Sequence, residues 1–144
     1  MSAEKALFSL VGYRFTKSLL DLSNMPNADN ISLLFEPSGV FYTESKRFDM
    51  TFRFSATSSD SQKESIAIEV IVNAQFVFKN IEKLEDIPDF FYPNAIAIIF
   101  PYVRAFVSTL TLQANVSPLI IPTMNLVALK DNFKQNTHLA KTEA

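Results

Sequence analysis

The stretch Ile66-Ala67-Ile68-Glu69-Val70-Ile71-Val72-Asn73-Ala74-Gln75-Phe76-Val77-Phe78 decides the fold class. Ile66, Ile68, Val70, Val72, Ala74, Phe76 and Phe78 fall on one side of an extended chain, and Ala67, Glu69, Ile71, Asn73, Gln75 and Val77 on the other. A period of two with one wholly apolar face and one mixed face marks a strand whose sheet buries one side against a core. Upstream, Arg47–Ser55 repeats the pattern, with Phe48, Met50, Phe52 and Phe54 inward as sheet core. The Ser-rich polar segment Ala56–Glu64 between the two suits a hairpin loop. Asn30–Glu36 reads as a third strand, ended by the turn signal Pro37-Ser38-Gly39. Phe8–Leu22 reads as the first, and its alternation blurs at Leu19-Leu20 as a bulge or bend would make it.

Downstream the pattern changes. From Asn94 to Ala114 there is no glycine and no alternation, which predicts a helix, with Pro93 suited to its first position. Pro101 removes an intrahelical bond, so the regular helix is expected to begin near Phe100. Ile98, Ile99, Phe100, Tyr102, Val103, Phe106, Val107 and Leu110 make it apolar nearly all round. Such a helix has to be covered on several sides. A chain of 144 residues supplies little cover, so burial between subunits is expected, with Phe100, Tyr102, Phe106 and Leu110 in the interface. Arg104 would pair there with a carboxylate across it. Ser117-Pro118-Leu119-Ile120-Ile121-Pro122 is an extended apolar connector, after which Thr123 can cap a second helix carrying Leu126, Leu129 and Phe133. Strands followed by helices predict an α+β fold, a four-stranded antiparallel sheet followed by two helices. The whole chain, 1–144, reads as one domain with an ordered core over 7–136 and a disordered tail from Thr137.

Composition removes most chemistries. There is no Cys, one His (His138, in the tail) and two Gly (Gly12 and Gly39), against 14 Phe and 4 Tyr. Thiolate metal sites, two-histidine metal sites, cysteine nucleophiles and glycine-rich phosphate loops are excluded, and no metal, cofactor or enzymatic activity is expected. The cluster Glu82, Glu85, Asp86 and Asp89 lacks the glycine and ligand spacing of a calcium loop. With 13 Lys+Arg against 15 Asp+Glu, net charge −2, no nucleic-acid footprint is expected. The longest apolar run, Ala95–Val103, is nine residues, well under the roughly twenty of a spanning helix. No membrane insertion and no export signal are read, so the expected location is cytoplasmic.

Ile99-Phe100-Pro101-Tyr102-Val103-Arg104 resembles the Phe-Pro-Tyr-Ala-Arg helix start of SecB, the protein-export chaperone family. Pro118-Leu119-Ile120-Ile121-Pro122-Thr123-Met124-Asn125-Leu126 resembles that family's Pro-rich connector and the start of its second helix. Phe76-Val77-Phe78-Lys79-Asn80-Ile81 and Phe15-Thr16-Lys17 are similar to its strand segments, so the resemblance covers roughly residues 11–133. It implies a homotetramer, a dimer of dimers, acting as an ATP-independent holdase that takes unfolded or partly folded polypeptides in apolar surface grooves. Met25, Phe35, Phe41, Tyr42, Leu119, Ile121, Met124, Leu126 and Phe133 are the groove candidates, with core packing as the other reading of each. The family docks the motor SecA on acidic outward sheet residues, and Glu69 matches one such position. Ser18 and Leu22 stand where further acids are expected and Asp21 is set to point the other way, so weak or absent SecA binding is expected. A dedicated chaperone of a toxin–antitoxin system, binding an antitoxin segment, and a small apolar-ligand-binding module are the alternative readings.

Overall fold

The computed structural model describes residues 7–25, 30–58, 65–122 and 125–141. Strands β1 (Phe8–Leu20), β2 (Ile31–Tyr42), β3 (Arg47–Ser58) and β4 (Ile66–Phe78) precede helix α1 (Phe91–Gln113). A 3-10 turn (Leu126–Leu129), a short helix α2 (Lys130–Gln135) and strand β5 (Thr137–Leu139) follow. The sheet order is β1-β4-β3-β2-β5. The first four strands pair antiparallel, and β5 joins β2 in parallel. The α+β class holds, but the sheet is five-stranded and mixed, not four-stranded and antiparallel.

The fifth strand comes from the expected disordered tail. Gly39 N–H donates to the Asn136 carbonyl at 3.1 Å and Ala140 N–H to the Phe41 carbonyl at 2.9 Å. Thr137 is buried, and its hydroxyl donates to the Phe133 carbonyl at 2.7 Å. Thr137 ends a polar run and carries no periodic signal, so this pairing follows from where α2 delivers the chain.

β2 also runs straight through Pro37-Ser38-Gly39, which the sequence marks as a turn. Gly39 N–H points away from β3, toward β5. Pro37 lies two residues earlier in the pleat, so its nitrogen faces the same outer edge and no ladder bond to β3 is lost. Gly39 does not use positive φ. It provides space: a Cβ there would stand inside contact distance of the Phe48 ring and 3.2 Å from that of Phe133.

The irregularity of β1 lies at Val11 and Thr16, where the register with β4 shifts, not at Leu19-Leu20. Two extra residues change the parity twice, so Leu10, Tyr13, Phe15 and Leu20 stand opposite the inward residues Phe76, Ala74, Val72 and Ile68 of β4. The strand ends at Leu20, and Asp21 is spent on the turn that follows, accepting from Ser23 N–H at 3.0 Å and Asn24 Nδ2 at 3.2 Å.

α1 is one continuous helix of 23 residues with Pro101 inside it, longer than a start near Phe100 implies. Phe91, Ala95, Ile99, Val103, Val107 and Thr111, each four residues apart, are buried, with Tyr92, Ile96 and Phe100 beside them. Pro101 and Ala97, whose carbonyl Pro101 leaves without a donor, both sit on the exposed side, where the lost bond costs least. Its length and composition alone would suit a membrane span, and in this fold its buried rows are sheet core.

The first turn of α1 is fixed by rings. Phe91 meets Phe78 at 4.7 Å, Phe48 at 4.8 Å, Phe8 at 4.9 Å and Phe76 at 5.4 Å between centroids, and Phe133 of α2 at 6.2 Å. Phe91→Ala is expected to cost about 3–5 kcal/mol in urea unfolding, the range for a buried Phe truncated in a packed core. Leu112→Ala, on the exposed side of the same helix, should cost under about 1 kcal/mol, and equal losses would sink the hub assignment.

Candidate client-binding and assembly surfaces

The connector after α1 is laced to that helix. Arg104 Nε donates to the Ile121 carbonyl at 2.9 Å and Ser108 Oγ to the Leu119 carbonyl at 3.2 Å. Leu119 N–H donates to Thr111 Oγ1 at 2.9 Å. These bonds satisfy polar groups that α1 would otherwise leave in apolar surroundings. They also set the alternation of the loop: Ile121 is fully buried, Leu119 is half-buried, and Ile120 between them is 68% exposed.

The nine groove candidates therefore separate. Phe35, Phe41, Ile121 and Phe133 are core residues of this protomer, because each is enclosed by the sheet, α1 or α2. A side chain with no exposed surface offers none to a partner. Met25, Leu119 and Leu126 are partly exposed and pack against the core edge. Tyr42 belongs to another surface, the outer sheet face, where the Arg47 guanidinium lies 4.1 Å over its ring. Met124 and the capping Thr123 fall outside the described residues. Exposed apolar side chains not singled out in the sequence are Leu34 on β2, Ile120 on the connector and Val127 in the following turn. Ile120 had a legible signal, since an extended segment that buries Ile121 must turn its neighbour outward.

The expected interface residues also divide. Phe100 packs inward, its ring 5.8 Å from that of Phe35, so it is core within the chain. Within the protomer, Arg104 Nε is committed to the connector carbonyl of Ile121. Tyr102 stacks on Tyr13 at 4.3 Å, and Phe106 on Phe15 at 4.1 Å. Leu110 is half-buried. Around these stacks lie Val11, 65% exposed, with Tyr13, Tyr102 and Leu112 also exposed, and among the described residues β1 pairs with no strand but β4. An open strand edge beside uncovered aromatic side chains is surface that natural proteins rarely leave bare.

Glu69 lies on the outer face but is not a solvent-facing acid. It is 5% exposed. Lys17 Nζ reaches its Oε1 at 2.5 Å, and Arg53 holds Oε2 through Nη2 at 2.5 Å and Nε at 3.1 Å. Arg53 Nη1 extends the network to Glu36 Oε1 at 2.8 Å. Hydrogen bonds from Lys17 and then Arg53 hold the Glu69 carboxyl below its usual range against the opposing cost of burial. Its neighbour across the strand pair is Leu19, and the strand position Ser18 pairs with Val70, so β1 brings no acid beside it.

This arrangement, an antiparallel sheet followed by a long apolar helix and a proline-bracketed connector tied back to it, is that of the SecB fold. It superposes on a Mycobacterium tuberculosis SecB-like chaperone, solved in complex with a ChAD peptide from the HigA1 antitoxin, with a TM-score of 0.67 and 14% identity, covering 82% of this chain and 91% of that one. The family model described as preprotein translocase subunit SecB matches residues 24–137, and the chain belongs to the SecB family. An uncharacterized Methanocaldococcus jannaschii protein is 39% identical over 67 residues, 44% of this chain and 43% of that relative. The match thus spans less than half the length of the curated relative.

The lowered pKa of Glu69 fixes a sign. A carboxyl more acidic in the folded than in the unfolded state stabilises at pH above the ordinary Glu range, and loses that contribution as pH falls through the folded value. Wild type is therefore expected to lose stability on acidification below pH about 4.5 more steeply than Glu69→Gln. At pH 7, Glu69→Gln should be less stable by about 1.5–3 kcal/mol, the range for charged hydrogen bonds. Parallel pH profiles for the two proteins in urea unfolding would contradict this.

Proposed function

We propose that the chain is an ATP-independent holdase of the SecB family that binds non-native polypeptides as a homotetramer, a dimer of dimers, in the cytoplasm. The observation that carries this reading is the exposed apolar pair on the connector and the turn after it, Ile120 and Val127, in a chain of this family. Each such side chain gains roughly 1.5–3 kcal/mol when a client buries it. Several weak contacts on one assembly add through effective concentration. The uncovered side of α1 and the open edge of β1 supply the self-association surface. No bond-making step is needed for this work, and none is ascribed.

The client is open between two sources. A dedicated antitoxin segment is favoured over general export clients by the outer face, where Glu69 is buried and paired with Lys17 and Arg53 and so is not itself presented to a motor. The similarity to a SecB-like chaperone solved with an antitoxin peptide points the same way. The small apolar-ligand reading has less support, since the aromatic interior is filled by ring-on-ring contacts.

Light scattering should give about four chains per particle, and the protein should suppress aggregation of a chemically denatured client without nucleotide. Ile120→Asp is expected to reduce that suppression while leaving particle size unchanged, and Tyr102→Asp to reduce particle size. A monomer that fails to suppress aggregation would refute the proposal. Micromolar SecA binding abolished by Glu69→Gln would restore the export reading.

A further inference from the structure

The outer face of the sheet is a set of rows running across the strands. One row is Gly12, Gln75, Asp49 and Val40, and the next is Arg14, Asn73, Thr51 and Ser38. Strands β1 to β4 carry seven charged side chains: the cations Arg14, Lys17, Arg47 and Arg53, and the carboxylates Glu36, Asp49 and Glu69. Six of them are consumed within the face. Lys17 and Arg53 share Glu69, Arg53 also holds Glu36, and Arg47 Nε stands 3.1 Å from Asp49 Oδ1. Arg14 has no ion pair among the described residues, and it lines a cavity of about 450 Å³ on this face.

The cavity exists because Gly12 has no side chain there, and a Cβ on Gly12 would meet nothing within 4 Å. Asn73 and Gln75 line it beside Arg14. Asn73 Oδ1 accepts from Thr51 Oγ1 at 3.1 Å, so its amide nitrogen is the group left to donate. The uncommitted donors are thus a guanidinium and two carboxamide nitrogens, while the acceptors left in the lining are the Gln75 amide oxygen and Asp49 Oδ1, which is buried beside Arg47 without a hydrogen bond. A guanidinium fork matches a planar carboxylate through two parallel hydrogen bonds. Asp49, also in the lining, disfavours a group that carries two charges on one centre, such as phosphate, more strongly than a single carboxylate at the end of a chain. We propose that this cavity is a binding site for a single carboxylate, held by Arg14 with Asn73 and Gln75. It lies on the sheet face opposite the core and does not depend on the chaperone reading.

Such a carboxylate comes either from a free small acid or from an acidic side chain of a partner polypeptide, and the test separates them. The full chain is titrated with glutarate, with an end-blocked Glu-Glu dipeptide and with its Gln-Gln counterpart. The backbone amide of Gly12 and the side-chain amides of Asn73 and Gln75 are followed by NMR. Saturable shifts are expected with one or both acids and none with Gln-Gln, and the acid that saturates identifies the source. Arg14→Gln should weaken binding by about tenfold or more. Gly12→Leu, which puts a side chain into the cavity while keeping the Arg14 guanidinium, should abolish it, with thermal melts showing both variants folded. Failure of both acids to saturate, equal binding of Gln-Gln, or an unchanged affinity in folded Arg14→Gln would each overturn the proposal.

Discussion

The ring of Phe91 is the contact on which the rest of the protomer depends. It enters the first turn of α1 and meets Phe8 of β1, Phe48 of β3, Phe76 and Phe78 of β4 and Phe133 of α2. Edge-on and tilted ring pairs favour particular angles as well as burial, so one side chain sets both where α1 starts and how it crosses the sheet. The other end of the same cluster explains Gly39. Phe48 and Phe133 fill the space a Cβ would need, and that close packing seats α2. From there the chain reaches the free edge of β2 and forms β5.

With its start pinned, α1 has two unlike sides. Its four-residue repeat from Phe91 to Thr111 is spent on the sheet. Its flank meets β1 through two ring stacks, Tyr102 on Tyr13 and Phe106 on Phe15. The bulges at Val11 and Thr16 are what bring those β1 aromatics into line, since each changes the parity of the strand. Between its polar ends, Asn94 and Gln113, what stays uncovered on the helix carries no charge: Ala97, Pro101, Tyr102, Ala105, Thr109 and Leu112.

Much of this was legible from the residues. β4 was read with its full extent, and β3 with its inward Phe48, Met50, Phe52 and Phe54, because period two with one apolar face has a single structural meaning. Existence of the long helix was legible for the same kind of reason. Pro37-Ser38-Gly39 predicts a turn and instead lies within β2, because proline and glycine carry two meanings, turn geometry and close approach at an edge, and a linear pattern does not separate them. The alternation puts Glu69 on the outer face, and its pairing there is not legible from the strand alone. Lys17 and Arg53 lie on two other strands, and their convergence depends on register, which the bulge before Lys17 resets.

The candidate surfaces show the same division. Composition excluded most catalytic chemistry, and the motifs at Ile99–Arg104 and Pro118–Leu126 pointed to the family. The alternation puts Ile120 and Ile121 on opposite sides of the connector, and packing decides which is surface: Ile121 is enclosed with Phe41 and Phe133, while Ile120 and Val127 are open. The sequence by itself determined the class of fold, the alternating faces of its main strands and the apolar character of α1, because these are local periodicities that each segment carries alone. Tertiary structure decided the fifth strand, the burial of Glu69, the commitment of Arg104 to the connector and the isolation of Arg14 beside Gly12. Each of these depends on groups far apart in the chain being brought within a few ångströms, and the distance between them is set by packing, not by pattern.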